Sequence, residues 1–400
     1  MSGALYAAFD RFPTRKGASV HIAHFAPALF ERFGGGLLAV LGDAELPLHQ
    51  FEKMPWGQVE IVRYAQPDVN FLERALGYSA MLSELLDERG DDLALCHFRD
   101  PWGGVPILSR PHRYATVFEV NALPSLELAS RHPSLSPRVL EKIHAHERFC
   151  LEACDRIVTP SRITARMLEV SGVPAGKISV VPNGARPCDV KPARPADAPQ
   201  NYLIYIGALQ RWQGVDTLLR AFARLADLPE LHLVICASAE NRDAHRLQAL
   251  AERLDIDASR LHWRYALEEG ELAAWLGHAR ISLAPLSDCA RNTVQGCAPL
   301  KILETMAAGV PLIASDLPVV RELVEDGVEG RLVPPDRPAE LARAIRILLA
   351  YPELADELGR NGALRIERES SWKHSLTALQ NAYEELAATR DAPRAVSMVG

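Results

Sequence analysis

Lys301 and Glu304 stand three residues apart in the stretch QGCAPLKILETMAAGVPLIAS, residues 295–315, which holds the strongest cue to chemistry in the chain. Pro299 suits the first turn of a helix, LKILETMAA has a helical pattern, and Gly309 supplies a C-terminal stop. Residues 296–299, Gly296 to Pro299, then form a small-residue loop that leads through Leu300 into a helix N-terminus. Free amides and the helix dipole favour an anion there. A lysine in the first turn opposes that dipole, so Lys301 makes better sense if it shares the place with a bound anion. The plain alternative is an exposed i,i+3 ion pair between Lys301 and Glu304, a common and weak feature.

A second block, YLIYIGALQRWQGV (202–215), reads as a strand ending at Gly207, a loop carrying Arg211 and Gln213, and Gly214 before the next helix. Glycines let backbone amides approach a phosphate, and Arg211 offers a fork of donors to it. A solvated arginine on an ordinary loop would look the same. A third block, VVPNG (180–184), runs a strand into an Asn183-Gly184 turn, which is mostly turn chemistry. In the first half, residues 15–17 with Gly17 lie between a strand and its helix. Arg99, Asp100, Gly103 and Gly104 follow another strand, and Glu119 and Asn121 end TVFEVN. A carboxylate between Phe118 and Val120 needs a partner; a helix cap or an internal hydrogen bond would satisfy it.

Some patterns mislead. Asp255 and Asp257 match the Asp-x-Asp of metal-dependent sugar transferases, but they sit at the polar end of a helix and read as a solvated turn. His146, Cys150 and Cys154 share a helix face at i, i+4, i+8, yet no second ligand pair accompanies them, so no metal site is expected. No GxGxxG follows the first strand, and no GKS/T loop or GxSxG elbow occurs, which argues against a dinucleotide cofactor, a P-loop and a serine hydrolase.

The elements that must carry these residues follow from the whole chain. Its 400 residues exceed one ordinary domain. With 48% hydrophobic and 24% charged residues the composition is globular, not disordered, collagenous or coiled-coil. A net charge of −7 gives no general attraction for nucleic acid or anionic membrane. The longest apolar run, residues 33–42, is half a membrane span, and Asp10 and Arg11 come too early for a secretory signal, so the expected location is cytoplasmic. Seven scattered cysteines without a CxxC pair read as reduced thiols.

Strands are expected at 5–9, 37–41, 93–98, 115–120, 156–159 and 178–181, with a helix over 19–33. This β-α alternation belongs to a parallel, doubly wound sheet. RPCDVKPARPADAPQ (186–200) has no period and reads as a linker. The pattern restarts at NYLIYIG, with a helix over 215–225 and strands in LHLVICA, ISLAPL, PLIAS and GRLVPP. The fold class is therefore α/β. Two Rossmann-like domains, 1–186 and 201–370, are joined by 187–200. A helix over 372–388 returns toward the first domain, and a loose tail covers 390–400. Open α/β sheets bind ligands beyond the carboxyl ends of their strands, so a cleft between two facing sheets is the expected site.

ACDRIVTPS followed by GVPAGKISVVPNGA, then YIGALQRWQGVDTLLRAF, then APLKILETMAAGVPLIAS with VVRELVEDGVEGRLVPP, in this order, resemble glycosyltransferase family 4. The resemblance implies the GT-B fold and metal-independent, retaining transfer of a hexosyl-like unit from a UDP- or GDP-sugar as co-substrate, without a cofactor. Its partners would be the nucleotide sugar and a small-molecule, glycan or lipid-linked acceptor. It implies no nucleic acid and at most peripheral membrane contact, and Glu119–Asn121 looks like a branch linked to polysaccharide biosynthesis. Arg211, Lys301 and Glu119 become the expected catalytic residues. Gly17, Gly207, Gln213, Gly214, Gly296, Pro299, Leu300 and Glu304 would bind the donor, Glu304 through its ribose. Arg99, Asn121 and Asn183 would line the acceptor side or the cleft.

The chain departs from the family pattern. Gly296 stands where the first of two glutamates is common, and Ala208 and Gln213 stand where the phosphate loop often has arginine and lysine. The histidine often found near the reaction centre is not obvious, and Glu119 is expected in its neighbourhood. Two other readings stay open: a non-catalytic nucleotide-sugar-binding subunit, and a nucleotide-sugar epimerase using Glu119 and His97.

Overall fold

A computed structural model describes residues 3–14, 17–43, 45–66, 70–131, 135–188 and 190–391. The chain divides into two compact units. The first comprises residues 1–14, 18–181 and 375–400, the second residues 15–17 and 182–374.

In the first unit the strands are β1 (Gly3–Arg11), β2 (Gly35–Leu41), β3 (His49–Met54), β4 (Gly57–Tyr64), β5 (Leu93–Phe98), β6 (Ala115–Glu119), β7 (Arg156–Thr159) and β8 (Ile178–Val180). They lie in the order β3-β4-β2-β1-β5-β6-β7-β8. All neighbours are parallel except β3, which pairs antiparallel with β4. Runs such as Ala4 to Ala8 are wholly buried, as strands covered on both faces must be. The hairpin of β3 and β4 escapes sequence reading because β3 is a polar edge strand whose side chains mostly face solvent.

In the second unit the strands are β9 (Asn201–Gly207), β10 (Leu231–Ala237), β11 (Leu261–Tyr265), β12 (Ile281–Ala284), β13 (Leu312–Ser315) and β14 (Arg331–Val333). They form an all-parallel sheet in the order β11-β10-β9-β12-β13-β14. β11 is another half-buried edge strand absent from the sequence reading. The order reverses at β9, whose neighbours β10 and β12 lie on opposite sides. That reversal is the switch point at which such sheets hold ligands.

Two boundaries differ from expectation. The first unit yields to the second at 181/182, not at 186, because the Ala185 amide donates to the Ser370 carbonyl and the Trp372 amide to that of Ala185. These bonds tie 182–185 to the second unit. The last helix, Trp372–Asp391, runs past 388 and past the start of the expected tail at 390; residues 392–400 lie outside the described residues. From Ser375 onward that helix belongs to the first unit. Gln380 Nε2 donates to the Ala28 carbonyl at 2.8 Å, and Arg390 reaches the Tyr114 carbonyl at 2.9 Å. No helix among the described residues is long and apolar enough to cross a membrane.

Candidate active site

β9 ends at Gly207, with φ at +122°, and the chain turns through Arg211–Gln213 to Gly214, with φ at +71°. Both values favour glycine. At Gly214 space demands it as well, since a Cβ would lie 1.7 Å from the Pro285 carbonyl oxygen just beyond β12. Asn292, fully buried, clamps this loop: its Nδ2 donates to the carbonyls of Trp212 at 3.0 Å and Ser287 at 2.8 Å. Asn292 belongs to a short π-helix, Arg291–Gln295, a rare turn that recurs at functional sites. Gly296 follows with φ at +84°, and the helix Leu300–Ala307 then begins with Pro299 at its cap and no side chain capping its amides.

Lys301 points back from this helix to the end of β9. Its Nζ donates to Gln213 Oε1 at 2.6 Å and to the Tyr205 hydroxyl at 2.9 Å, and lies 4.1 Å from the centre of the Tyr205 ring. Tyr205 in turn donates to the Ala208 carbonyl, leaving its oxygen free to accept from the amine. A Cβ at Gly207 would come within 3.2 Å of that amine, so the glycine makes room for it. Burial lowers the amine to about 7; Glu304 and Cys297 work against this, and Arg291 adds to it. Lys301 and Glu304 form no ion pair among the described residues, so the exposed-pair alternative gives way to a buried amine with neutral acceptors. Glu304 is half-buried, and burial pushes its carboxyl above the ordinary range against the pull of Lys301.

The structure thus brings together Gly207, Gln213, Gly214 and Lys301, with Gly296, Pro299, Leu300 and Glu304 on the adjoining loop and helix. Arg211 is on the rim and exposed; its carbonyl accepts from the Gly214 amide at 3.1 Å. Sequence reading took Arg211 and Lys301 as the cations of this place and missed Arg291. The Arg291 guanidinium lies 5.0 Å from the centre of the Trp212 ring, close enough to depress the Lys301 amine. No periodicity marks Arg291, because it sits on a π-turn rather than a regular helix face. Asn183 meets the loop that precedes the Leu300–Ala307 helix. Its Nδ2 donates to the Ala298 carbonyl at 3.0 Å, and its buried Oδ1 has no partner among the described residues. Gly17 starts the helix Gly17–Phe33; Arg15 lies outside the described residues.

Glu119 is placed differently from expectation. It is 2% exposed at the end of β6, inside the first unit, and both carboxylate oxygens are filled. Oε2 accepts from the Tyr6 hydroxyl at 2.7 Å and meets His97 Nε2 at 3.0 Å. Oε1 accepts from Arg99 Nε at 2.8 Å and from Asn121 Nδ2, and lies 3.3 Å from His21 Nδ1. Burial alone would raise this carboxyl, but His21, Arg99 and His97 together hold it well below the usual range. These bonds make Glu119 the centre of an internal network at the end of the sheet. Arg99 also reaches Asp10 at 3.1 Å, and Asn121 is tied to Glu119, so both are parts of the same web. His97 is fully buried, with its other nitrogen 2.7 Å from the Tyr383 hydroxyl. His97 and Glu119, the residues of the epimerase reading, are engaged with each other and with Tyr383 and Tyr6. Asp100 caps the helix Pro101–Leu108 through Gly103 and accepts from the Phe9 amide, and burial pushes its carboxyl up to about 7.

Asp257 caps the short turn Ala258–Arg260 through the Ser259 amide and hydroxyl at 2.8 Å. Cys150 and Cys154 are buried thiols raised by burial. Among the described residues no three His, Cys, Asp or Glu side chains are grouped as a metal would need.

Two parallel α/β units, one with a glycine loop and a buried amine at its switch point, define a protein of the GT-B class. Residues 15–187 match the model described as Glycosyltransferase Family 4, and residues 200–351 match Glycosyl transferases group 1. The chain belongs to glycosyltransferase family 4. It is 33% identical over 313 residues to a D-inositol 3-phosphate glycosyltransferase of Geodermatophilus obscurus, covering 72% of this chain and 64% of that protein. The chain thus spans just under two thirds of the length of that relative. Among solved structures it resembles sucrose-phosphate synthase of Thermosynechococcus elongatus, with a TM-score of 0.76, 20% identity and coverage of 96% and 99% of the two chains. It also resembles Anabaena HepE in complex with UDP and glucose, with a TM-score of 0.72, 15% identity and coverage of 96% and 100%.

Proposed function

We propose that this chain is a retaining glycosyltransferase that moves a sugar from a nucleotide diphosphate sugar to an acceptor hydroxyl. The observation that carries the reading is Lys301, a buried amine at the switch point, beside an uncapped helix N-terminus and without a carboxylate partner. The direct partners of this amine are neutral, and the departing diphosphate supplies an anion for it to meet.

As the bond between the anomeric carbon and the diphosphate oxygen breaks, negative charge gathers on the diphosphate. Preorganised cations and amides aimed at that charge lower the barrier. Lys301 and Arg291 supply the cations from within, Arg211 from the rim, and the amides after Gly296 the helix-end donors. Glu304 accepts from the ribose hydroxyls, and Asn183 holds the 296–299 loop through Ala298. These cations make a metal unnecessary. HepE binds UDP, which makes UDP-sugars the first donors to test, with GDP-sugars next. The relative's name points to a small phosphorylated acceptor; glycan and lipid-linked acceptors follow in the screen. The proposed location is the cytoplasm.

A second reading has an observation in its favour. Gly296 stands where the family resemblance implies a glutamate, and its positive φ makes a glutamate there strained. Loss of that contact suits a subunit that binds the nucleotide sugar without transferring it. Purified protein incubated with UDP- and GDP-sugars and an acceptor panel distinguishes the two. Nucleotide release with an α-product from an α-donor supports the enzyme, and tight binding without release supports the subunit. No binding of either nucleotide sinks both.

A further inference from the structure

The Lys301 amine is a poor place for a resident charge. Its two hydrogen-bond acceptors, the Tyr205 hydroxyl and the Gln213 amide oxygen, are both neutral. The groups facing it are Tyr205 from β9, Arg291 from the π-turn, Cys297 from the loop, and Glu304 from its own helix. Of these only Glu304 is an ordinary carboxylate, and it forms no ion pair with the amine. Tyr205 is held as a phenol by burial and by its bond to Ala208. Arg291 repels a second cation. A desolvated ammonium whose direct hydrogen-bond partners are all neutral is costly, the more distant pull of Glu304 offsets this only in part, and such a group gives up its proton more readily.

We propose that above neutral pH Lys301 rests largely as a neutral amine, held in place by Tyr205 and Gln213, and takes up a proton from solvent when a diphosphate arrives beside it. This rests on the donor-site reading and goes further: the cation that meets the diphosphate is created by binding, and Tyr205 and Gln213 are positioning residues for it. The amine lone pair accepts the proton, buffer supplies it, and the diphosphate provides the missing counter-charge. The direction agrees with an amine lowered to about 7. A site of this kind prefers ligands with two adjacent phosphates over singly charged ones, because only a strong local anion offsets the cost of charging the amine.

Calorimetry of UDP binding near pH 8, in HEPES and in Tris, tests this. Free UDP has already lost its last phosphate proton there, since such groups titrate at about 6. The dependence of heat on buffer ionisation enthalpy gives the protons taken up. The expected result is uptake approaching one proton per UDP, with affinity weakening up to about tenfold per pH unit above neutrality. Lys301→Arg, always charged, should bind UDP with uptake near zero. Gln213→Glu places a carboxylate at the amine and should also abolish uptake; it lies on a partly exposed loop and decides the matter if Lys301→Arg fails to fold by circular dichroism. Binding of UDP without proton uptake overturns this inference and leaves the donor site standing. So does uptake that persists in Gln213→Glu. Failure of both UDP and GDP to bind overturns the donor-site reading, and this inference with it.

Discussion

Glu119 Oε2 lies 3.0 Å from Nε2 of His97, and both side chains are sealed inside the first unit. The pair joins the end of β6 to the penultimate residue of its neighbour β5, and through Tyr383 to the last helix. Removing one member of a buried charged network leaves its partners unpaired, at a cost of about 3–5 kcal/mol. Glu119→Gln should therefore lower unfolding free energy by that order in urea titrations at pH 7, while UDP affinity changes little. A stable variant that has lost nucleotide binding would return Glu119 to the donor site. The pH dependence has a definite sign. The folded carboxyl titrates well below its ordinary range, so its stabilising contribution is present above the unfolded value and is lost as pH falls through the folded one. Glu119→Gln should flatten the acid limb of the stability curve.

Lys301→Ala should reduce donor turnover by about 10²–10³ with the fold retained, the usual cost of losing one charged contact to a transition state. Turnover at the wild-type rate would take Lys301 out of the site. Stability should move the other way for Lys301→Met. The folded amine titrates near 7, below its unfolded value, so folding is penalised as pH falls from the unfolded value toward 7. The melting temperature of Lys301→Met should exceed wild type at neutral pH, and the gain should shrink as pH rises above about 10, where the unfolded amine is neutral too.

Glu304→Gln keeps the shape and weakens the acceptor. UDP and the intact UDP-sugar should both lose about 1.5–3 kcal/mol of binding, the range for a hydrogen bond to a charged group. Calorimetry with both ligands decides: a loss confined to the sugar nucleotide would place Glu304 against the sugar instead of the ribose.

Chelation should leave transfer unchanged, because Asp257 is spent on capping its own turn. An assay with and without a chelator checks this; activity that vanishes and returns with manganese would put a metal back into the mechanism.

Much of this was legible in the sequence because the parallel strands are buried on both faces and read as unbroken apolar runs, as Asn201–Gly207 and Leu231–Ala237 do. Edge strands β3 and β11 lack that signature, since half of each faces water. Gly207, Gly214 and Lys301 were legible from spacing. What Lys301 touches was not, because Gln213 is 88 residues away in sequence and nothing local couples them. Arg291 was hidden by the irregular turn that carries it. Glu119 stood out correctly as a carboxylate with a partner, but sequence could not count its partners, which come from β1, β5 and the loop after it, the first helix and the loop after β6.

The Tyr383–His97 contact has a consequence for synthesis. A ribosome that has made the entire second sheet has not yet made Tyr383, so the first unit waits for the last helix before Tyr383 and Gln380 can fill their places on it. Until then His97 has an open side and the Ala28 carbonyl lacks its donor. The first unit is thus discontinuous in sequence, and its last piece follows the whole of the second unit, unlike the simple N-terminal-first order of many multidomain proteins. The first unit is completed only when the helix that carries Gln380 and Tyr383 has been made.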